Sequence, residues 1–243
     1  MAIDLQASWS DEDIQAWRET VVRFVENEVA PADALARQNG HLDPAFWRRA
    51  GELGMLCTDI PESMGGMGGD FRHEVVLQEE MARRGLLSLN TGVHSIAAHY
   101  LMNHGTPAQQ AQYLPRMVSG ELVGAIAMTE PGAGSDLQSI RTRARLEGDE
   151  WVLNGSKTFI SNGLLAGLVM VVAKTDPQAG AKGISIFIVE TAQTPGFRVG
   201  RLIDKIGLKG QDTTELFFED MRLPRSALLG GQEGRGFAQL MGD

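Results

Sequence analysis

Near residue 123 the apolar pattern of this chain changes period, and no other feature restricts its fold more tightly. From residue 10 to about residue 120, hydrophobic side chains recur at the spacing of a helix face, roughly every 3.6 residues. Ile14, Trp17, Val21 and Phe24 follow a capping signal at Ser10 and Asp13 and run toward a stop at Pro31. Asp43 and Pro44 read as an N-cap and first helical residue, Phe46, Trp47, Ala50 and Leu53 mark the buried face, and Gly54 ends it. Pro61 to Gly69 holds four glycines and reads as loop. Helices are predicted over about Arg72 to Arg84 and Ser88 to His104, with Gly105 as a stop and Thr106-Pro107 opening another.

Beyond Val123 the period falls to two, and glycine and β-branched residues take over. Arg141 to Leu146 predicts a strand, Gly148-Asp149-Glu150 a turn, and Trp151 to Leu153 a second strand leading into a hairpin at Asn154-Gly155. Leu168 to Ala173 and Ile184 to Val189 are nearly continuous apolar runs suited to buried strands, and Glu215 to Phe218 adds one more. The expected class is α+β: an all-α N-terminal domain over residues 1–122, a mainly antiparallel β-barrel or sandwich over 123–228, and a helix that begins within 229–243. Because that helix stops after about one turn, the chain is expected to be a fragment lacking what the helix packs against.

At 243 residues, with 43% hydrophobic and 22% charged side chains, the chain can bury a core in each part. The formal charge of -9 argues against life on nucleic acid, which demands a Lys/Arg surplus. One cysteine, Cys57, excludes an intrachain disulfide and a thiolate metal cluster. Met1 to Asp11 has neither a basic start nor an apolar core, and no later run approaches ~18 uninterrupted apolar residues, so the expectation is a cytoplasmic chain that does not enter a membrane.

The most informative segment runs from Ala125 to Asp136. An apolar strand enters a turn in which Pro131 fixes one φ, while Gly132 and Gly134 let backbone approach a ligand closely. Such a turn presents amide donors and, at Thr129, a hydroxyl. A flat ring system with an apolar face and a polar edge suits it. So does an ordinary strand-to-turn transition, and spacing alone favours the latter.

Three segments in order decide between them. Met128-Thr129-Glu130-Pro131-Gly132-Ala133-Gly134-Ser135-Asp136 resembles the signature of acyl-CoA dehydrogenases. Trp151 to Gly163 resembles that family's flavin-contacting strand, and Gly207 to Pro224 its last β segments. The resemblance implies FAD as cofactor, an acyl-CoA substrate, an electron-transferring flavoprotein as acceptor, and a homo-oligomer, dimer or tetramer. It also implies α,β-dehydrogenation of the thioester to the 2-enoyl-CoA. Carried onto this sequence, it has Ile126 to Ser135 wrapping the flavin, Met128 and Gly134 among its contacts, with Thr129 near the pyrimidine edge. Ser135 is shared with the thioester arm, and Phe159, Ile160 and Ser161 flank the ring system. Phe159 and Ser161 stand where many relatives carry Trp and Thr. Lys182, in a Gly/Lys loop, is a candidate contact for the CoA phosphates. The catalytic glutamate is expected beyond Asp243. Two rivals are a non-catalytic acyl-CoA or FAD module completed by a partner chain, and a flavin oxidase or monooxygenase.

Other candidates carry less. His94, His99 and His104 are five residues apart, which rotates each about 140° from the last around a helix, so they cannot share a metal. Arg141, Arg143 and Arg145 share one strand face, which reads as a solvated face sooner than as a phosphate site. No P-loop, Gly-x-Gly-x-x-Gly after a strand, or Gly-x-Ser-x-Gly elbow occurs.

Overall fold

The computed structural model describes residues 9–242, so the first eight residues, part of the N-terminal stretch read above as lacking a leader, lie outside it. Helices come first and strands second. Asp11, and not Ser10, caps α1 (Glu12–Phe24), its side chain accepting from the Ile14 N–H at 3.0 Å. The expected stop at Pro31 does not occur. A π-helical turn (Val25–Val29) leads directly into α2 (Ala30–Asn39), and the continuous helix takes up Pro31 in the first turn of α2, just past the π turn.

Asp43 caps α3 (Pro44–Glu52) as expected, and Gly54 follows it at φ +72°. The glycine-rich loop leads to α4 (Phe71–Arg83). The next helix, α5 (Thr91–His104), starts three residues later than its pattern suggests. The reason is Asp33: this buried carboxylate accepts from both the N–H and the hydroxyl of Ser88, at 3.1 and 2.5 Å, and holds that segment out of the helix. A Thr106/Gln109 capping box opens α6 (Pro107–Val118).

The strands β1 (Gly124–Ala127), β2 (Arg143–Glu147), β3 (Glu150–Ser161), β4 (Leu168–Lys174), β5 (Ile184–Glu190), β6 (Phe197–Leu202) and β7 (Thr213–Pro224) form one mixed sheet. Its path runs β1-β4-β2-β3-β7-β6, with β5 on β4. β1 and β4 are parallel, Gly124 opposite Leu168 and Ala127 opposite Val171. Asn154-Gly155 is no hairpin but lies inside β3, at a register shift against β7. There the Asn154 side chain exchanges two hydrogen bonds with Asp220, at 3.0 and 2.9 Å, so the turn-forming asparagine satisfies a bulge.

Both faces of β4 and β5 are covered, which explains their unbroken apolar runs. Leu168, Met170, Val172, Ile184, Ile186 and Ile188 face α5 and α6, while Val169, Val171, Phe187 and Val189 join Trp151, Leu216 and Phe218 on the other side. A third cluster fills the space among α1, α3 and α4 around Trp47. The last helix, α7 (Gly236–Gly242), packs on β5, with Leu240 buried. Among the described residues no helix is long and apolar enough to cross a membrane.

Candidate functional site

The end of β1 and the end of β3 lie side by side, although the two strands share no ladder. Side chains and single backbone bonds join them. The Thr158 N–H donates to the Thr129 carbonyl at 2.9 Å. Lys157, whose side chain is wholly buried, donates its ammonium to the Met128 carbonyl and to Glu130 Oε1, each at 2.9 Å. Glu130 also accepts from the N–H groups of Arg141 and Thr142, at 2.6 and 3.0 Å. Burial works against its charge, but the Lys157 ammonium and these hydrogen bonds prevail and hold the carboxyl below the usual glutamate range. For Lys157 burial dominates and pushes the pKa down to about 8 against the pull of Glu130.

Past Glu130 the chain closes a tight turn, with reciprocal bonds between the backbones of Glu130 and Ala133 at 2.9 and 3.1 Å. Gly132 and Gly134 sit on its exposed rim. Neither takes a positive φ, and a Cβ added to either meets nothing within 4 Å. The chain's own backbone and packing thus make no demand for glycine here, which leaves close approach by another molecule as the physical reason.

Phe159 points the same way. It adopts φ +58° at the second register shift of β3 and is 63% exposed between the buried Thr158 and Ile160. A non-glycine residue in that conformation costs about 1–3 kcal/mol, and such strain collects at functional sites. Ser161 is half-buried opposite Thr213. The Ile160 side chain, by contrast, is buried in the sheet core, so only its backbone is available to a ligand.

Ile126 and Met128 are half-buried against the helix-side core, whereas Gly134 and Ser135 are exposed. Lys182 is exposed on the Gly180–Gly183 turn, and a Cβ at Gly180 would lie 3.4 Å from Gln138, in the turn that follows Ser135. Lys182 therefore stands on the Ser135 side of the site. Arg141, Arg143 and Arg145 are all exposed, as a solvated face requires.

Two residues given no role by their spacing tie the site to the helices. Asn162, at φ +60° and buried, donates its side-chain amide to the carbonyls of Asn90 and Gly124, both at 3.2 Å. His94 accepts from the Gly124 N–H through Nδ1 at 2.9 Å, so Nε2 carries the proton donated to the Met117 carbonyl at 3.1 Å. Burial pushes the His94 pKa down to about 4, which keeps the ring neutral. His99 bonds Asp59 at 2.8 Å, on another side of α5.

A groove of about 570 Å³ opens between α4 and α5, with Phe71, Val75, Ala82, Gly92 and Ile96 along it. A flat ring with a polar edge fits the first part of this arrangement. Phe159 offers an apolar face, while the Thr129 and Ser161 hydroxyls and the amides of the β1 end offer polar contacts.

Comparison with known proteins gives these features a lineage. Residues 11–121 match the model of the acyl-CoA dehydrogenase N-terminal domain, and residues 125–221 that of its middle domain. The mitochondrial long-chain specific acyl-CoA dehydrogenase of Sus scrofa is 47% identical over 235 residues, covering 96% of this chain and 54% of its own. The chain thus spans about half the length of the curated relatives it matches. An acyl-CoA dehydrogenase from Geobacillus kaustophilus superimposes with a TM-score of 0.93 at 44% identity, over 97% of this chain and 62% of that one. A glutaryl-CoA dehydrogenase from Mycobacterium smegmatis, solved in complex with FADH2, superimposes with a TM-score of 0.84 at 31% identity, over 95% and 58%. In sequence and in architecture, the chain belongs to the acyl-CoA dehydrogenase family.

Proposed function

We propose that the chain binds FAD against its sheet and an acyl-CoA along the α4–α5 groove, as part of an enzyme that dehydrogenates the α and β carbons of the thioester. One observation carries the reading: a strained, solvent-facing Phe159 stands beside a strand end that three buried contacts hold in place. When bound, FAD supplies a two-electron acceptor for the β-hydrogen. The rest falls to this chain's residues. Met128 and Thr129 offer backbone and hydroxyl contacts to the ring's polar edge, Phe159 covers an apolar face, and Ser161 adds a hydroxyl. Gly134 and Ser135 border the thioester arm, and Lys182 meets the CoA phosphates.

The groove suits a hydrocarbon tail because apolar side chains run along it and several polar groups beside them are bonded to one another. Thr91 and Gln78 both donate to Glu74, at 2.7 and 2.9 Å, and Asp59 is bonded to His99. Phe71, Val75, Ala82 and Ile96 present carbon to the cavity, which supports a medium to long straight chain. Removal of the α-proton needs a base within about 3 Å. Glu130 is unsuited, since three donors saturate it and hold it as an anion. We place the base outside residues 1–243. An electron-transferring flavoprotein as acceptor and a homo-oligomeric assembly complete the reading.

The test mixes the purified chain with FAD, then with a long-chain acyl-CoA. Quenched flavin fluorescence and a perturbed, unbleached visible band are expected. No uptake of FAD would overturn the reading, and bleaching by the chain alone would move the base inside it. At Gly92 an added Cβ meets only Asn90 Oδ1, at 3.7 Å. Gly92→Phe should therefore leave FAD binding intact and weaken the long-chain ligand at least about tenfold, or 1.4 kcal/mol.

A further inference from the structure

Lys157 is the only buried lysine among the described residues, and fold stability does not account for it. A buried ion pair is commonly no more stable than apolar side chains of the same volume. What Lys157 touches is more telling. Its ammonium donates to the Met128 carbonyl, and no peptide bond of the described chain is cis. In a trans peptide the C=O and the next N–H point in opposite directions. The N–H that shares a peptide unit with the Met128 carbonyl is that of Thr129, so it points away from Lys157, from the buried side of the strand end toward the half-exposed one. A cation on the carbonyl of a peptide polarises its N–H and makes that N–H a stronger donor.

Resting on the flavin reading above, we propose that Lys157 is a positioning residue whose charge, relayed through the Met128-Thr129 peptide, strengthens the Thr129 amide as a donor to the pyrimidine edge of bound flavin and so favours the reduced cofactor. Glu130 acts in the opposite sense. Its carboxylate lies 2.9 Å from the same ammonium and offsets part of the charge that the peptide feels. The pair thereby sets the electron affinity of a ring that neither side chain touches.

The opposed signs supply the test. The flavin-loaded protein is titrated for its two-electron reduction potential in wild type, Lys157→Met and Glu130→Gln, with the melting temperature followed by circular dichroism. Lys157→Met is expected to weaken the preference for reduced over oxidised flavin about tenfold, a fall of about 30 mV for two electrons. Glu130→Gln is expected to raise it. If the Met variant does not fold, Lys157→Gln, which removes the charge and keeps a donor, takes its place. Shifts of the same sign in both variants, or unchanged potentials in folded and loaded variants, would overturn the proposal while leaving the flavin reading standing. A wild-type protein that takes up no FAD overturns both.

Discussion

The two walls of the site are built on opposite physical lines. On the sheet side, Lys157, Glu130 and Asn162 are buried, each hydrogen-bonded with definite geometry, and His94 reaches from α5 to bond the start of β1. On the helix side, the α4–α5 groove leaves Phe71 69% and Ile96 43% exposed, and apolar side chains run along it. On the reading proposed above, the difference follows from what each wall would recognise. A polar ring edge demands donors fixed to fractions of an ångström, and a buried polar network has only one satisfied arrangement. A hydrocarbon tail is held by a force without direction, so open carbon surface of the right shape suffices.

That contrast breaks most visibly at Glu130. Glu130→Ala would strand the Lys157 ammonium and the N–H groups of Arg141 and Thr142 in the interior, and we expect a loss of roughly 3–5 kcal/mol in urea unfolding. A loss below about 1 kcal/mol would mean that the polar wall is less rigid than drawn.

Next in size is a pH effect at the seam between the walls, where His94 of α5 meets the start of β1. His94 is buried neutral with a pKa near 4, while the unfolded chain titrates near its ordinary 6.5. The unfolded state therefore binds more protons between these values. Stability from this residue is fully present above pH 6.5 and is lost as pH falls toward 4, by up to about 3 kcal/mol. Denaturant titrations across that range should show the slope, and a His94→Gln chain should lack His94's contribution to it. An unaltered slope would exclude His94 as its source.

The smallest effect sharpens the contrast at Phe159. Phe159→Gly relieves the positive φ and should raise unfolding stability by about 1 kcal/mol, while FAD binding weakens. A variant that gains neither stability nor a binding defect would remove Phe159 from the site.

How much of this the sequence revealed depends on the range of the interactions. The period change near residue 123 and the Asp43-Pro44 and Thr106-Pro107 starts are local signals, and the structure keeps all of them. Pro31, Ser88 and Asn154 departed from their local reading for tertiary reasons: a π turn, a carboxylate 55 residues away and a bulge partner 66 residues away. In the site, the Thr129 and Phe159 segments were legible as residue order. The role of Lys157 was not, because a lysine on a strand ordinarily reads as a solvated position. Only the approach of Met128 and Glu130 from another strand gives it a buried partner.

Asn162 has a consequence beyond its two side-chain hydrogen bonds. With one side-chain amide it fastens the start of α5 to the start of β1, from a position just past the end of β3. The end of β3, the start of β1 and the start of α5 share that rivet, whereas the groove residues Val75, Ala82 and Ile96 do not bond to it. On the reading proposed above, the length of the hydrocarbon slot can therefore be altered by exchanges on the helices alone, without re-aiming the groups that would grip the cofactor. A scaffold with this division of labour is suited to diversify in substrate size while its redox geometry is inherited unchanged.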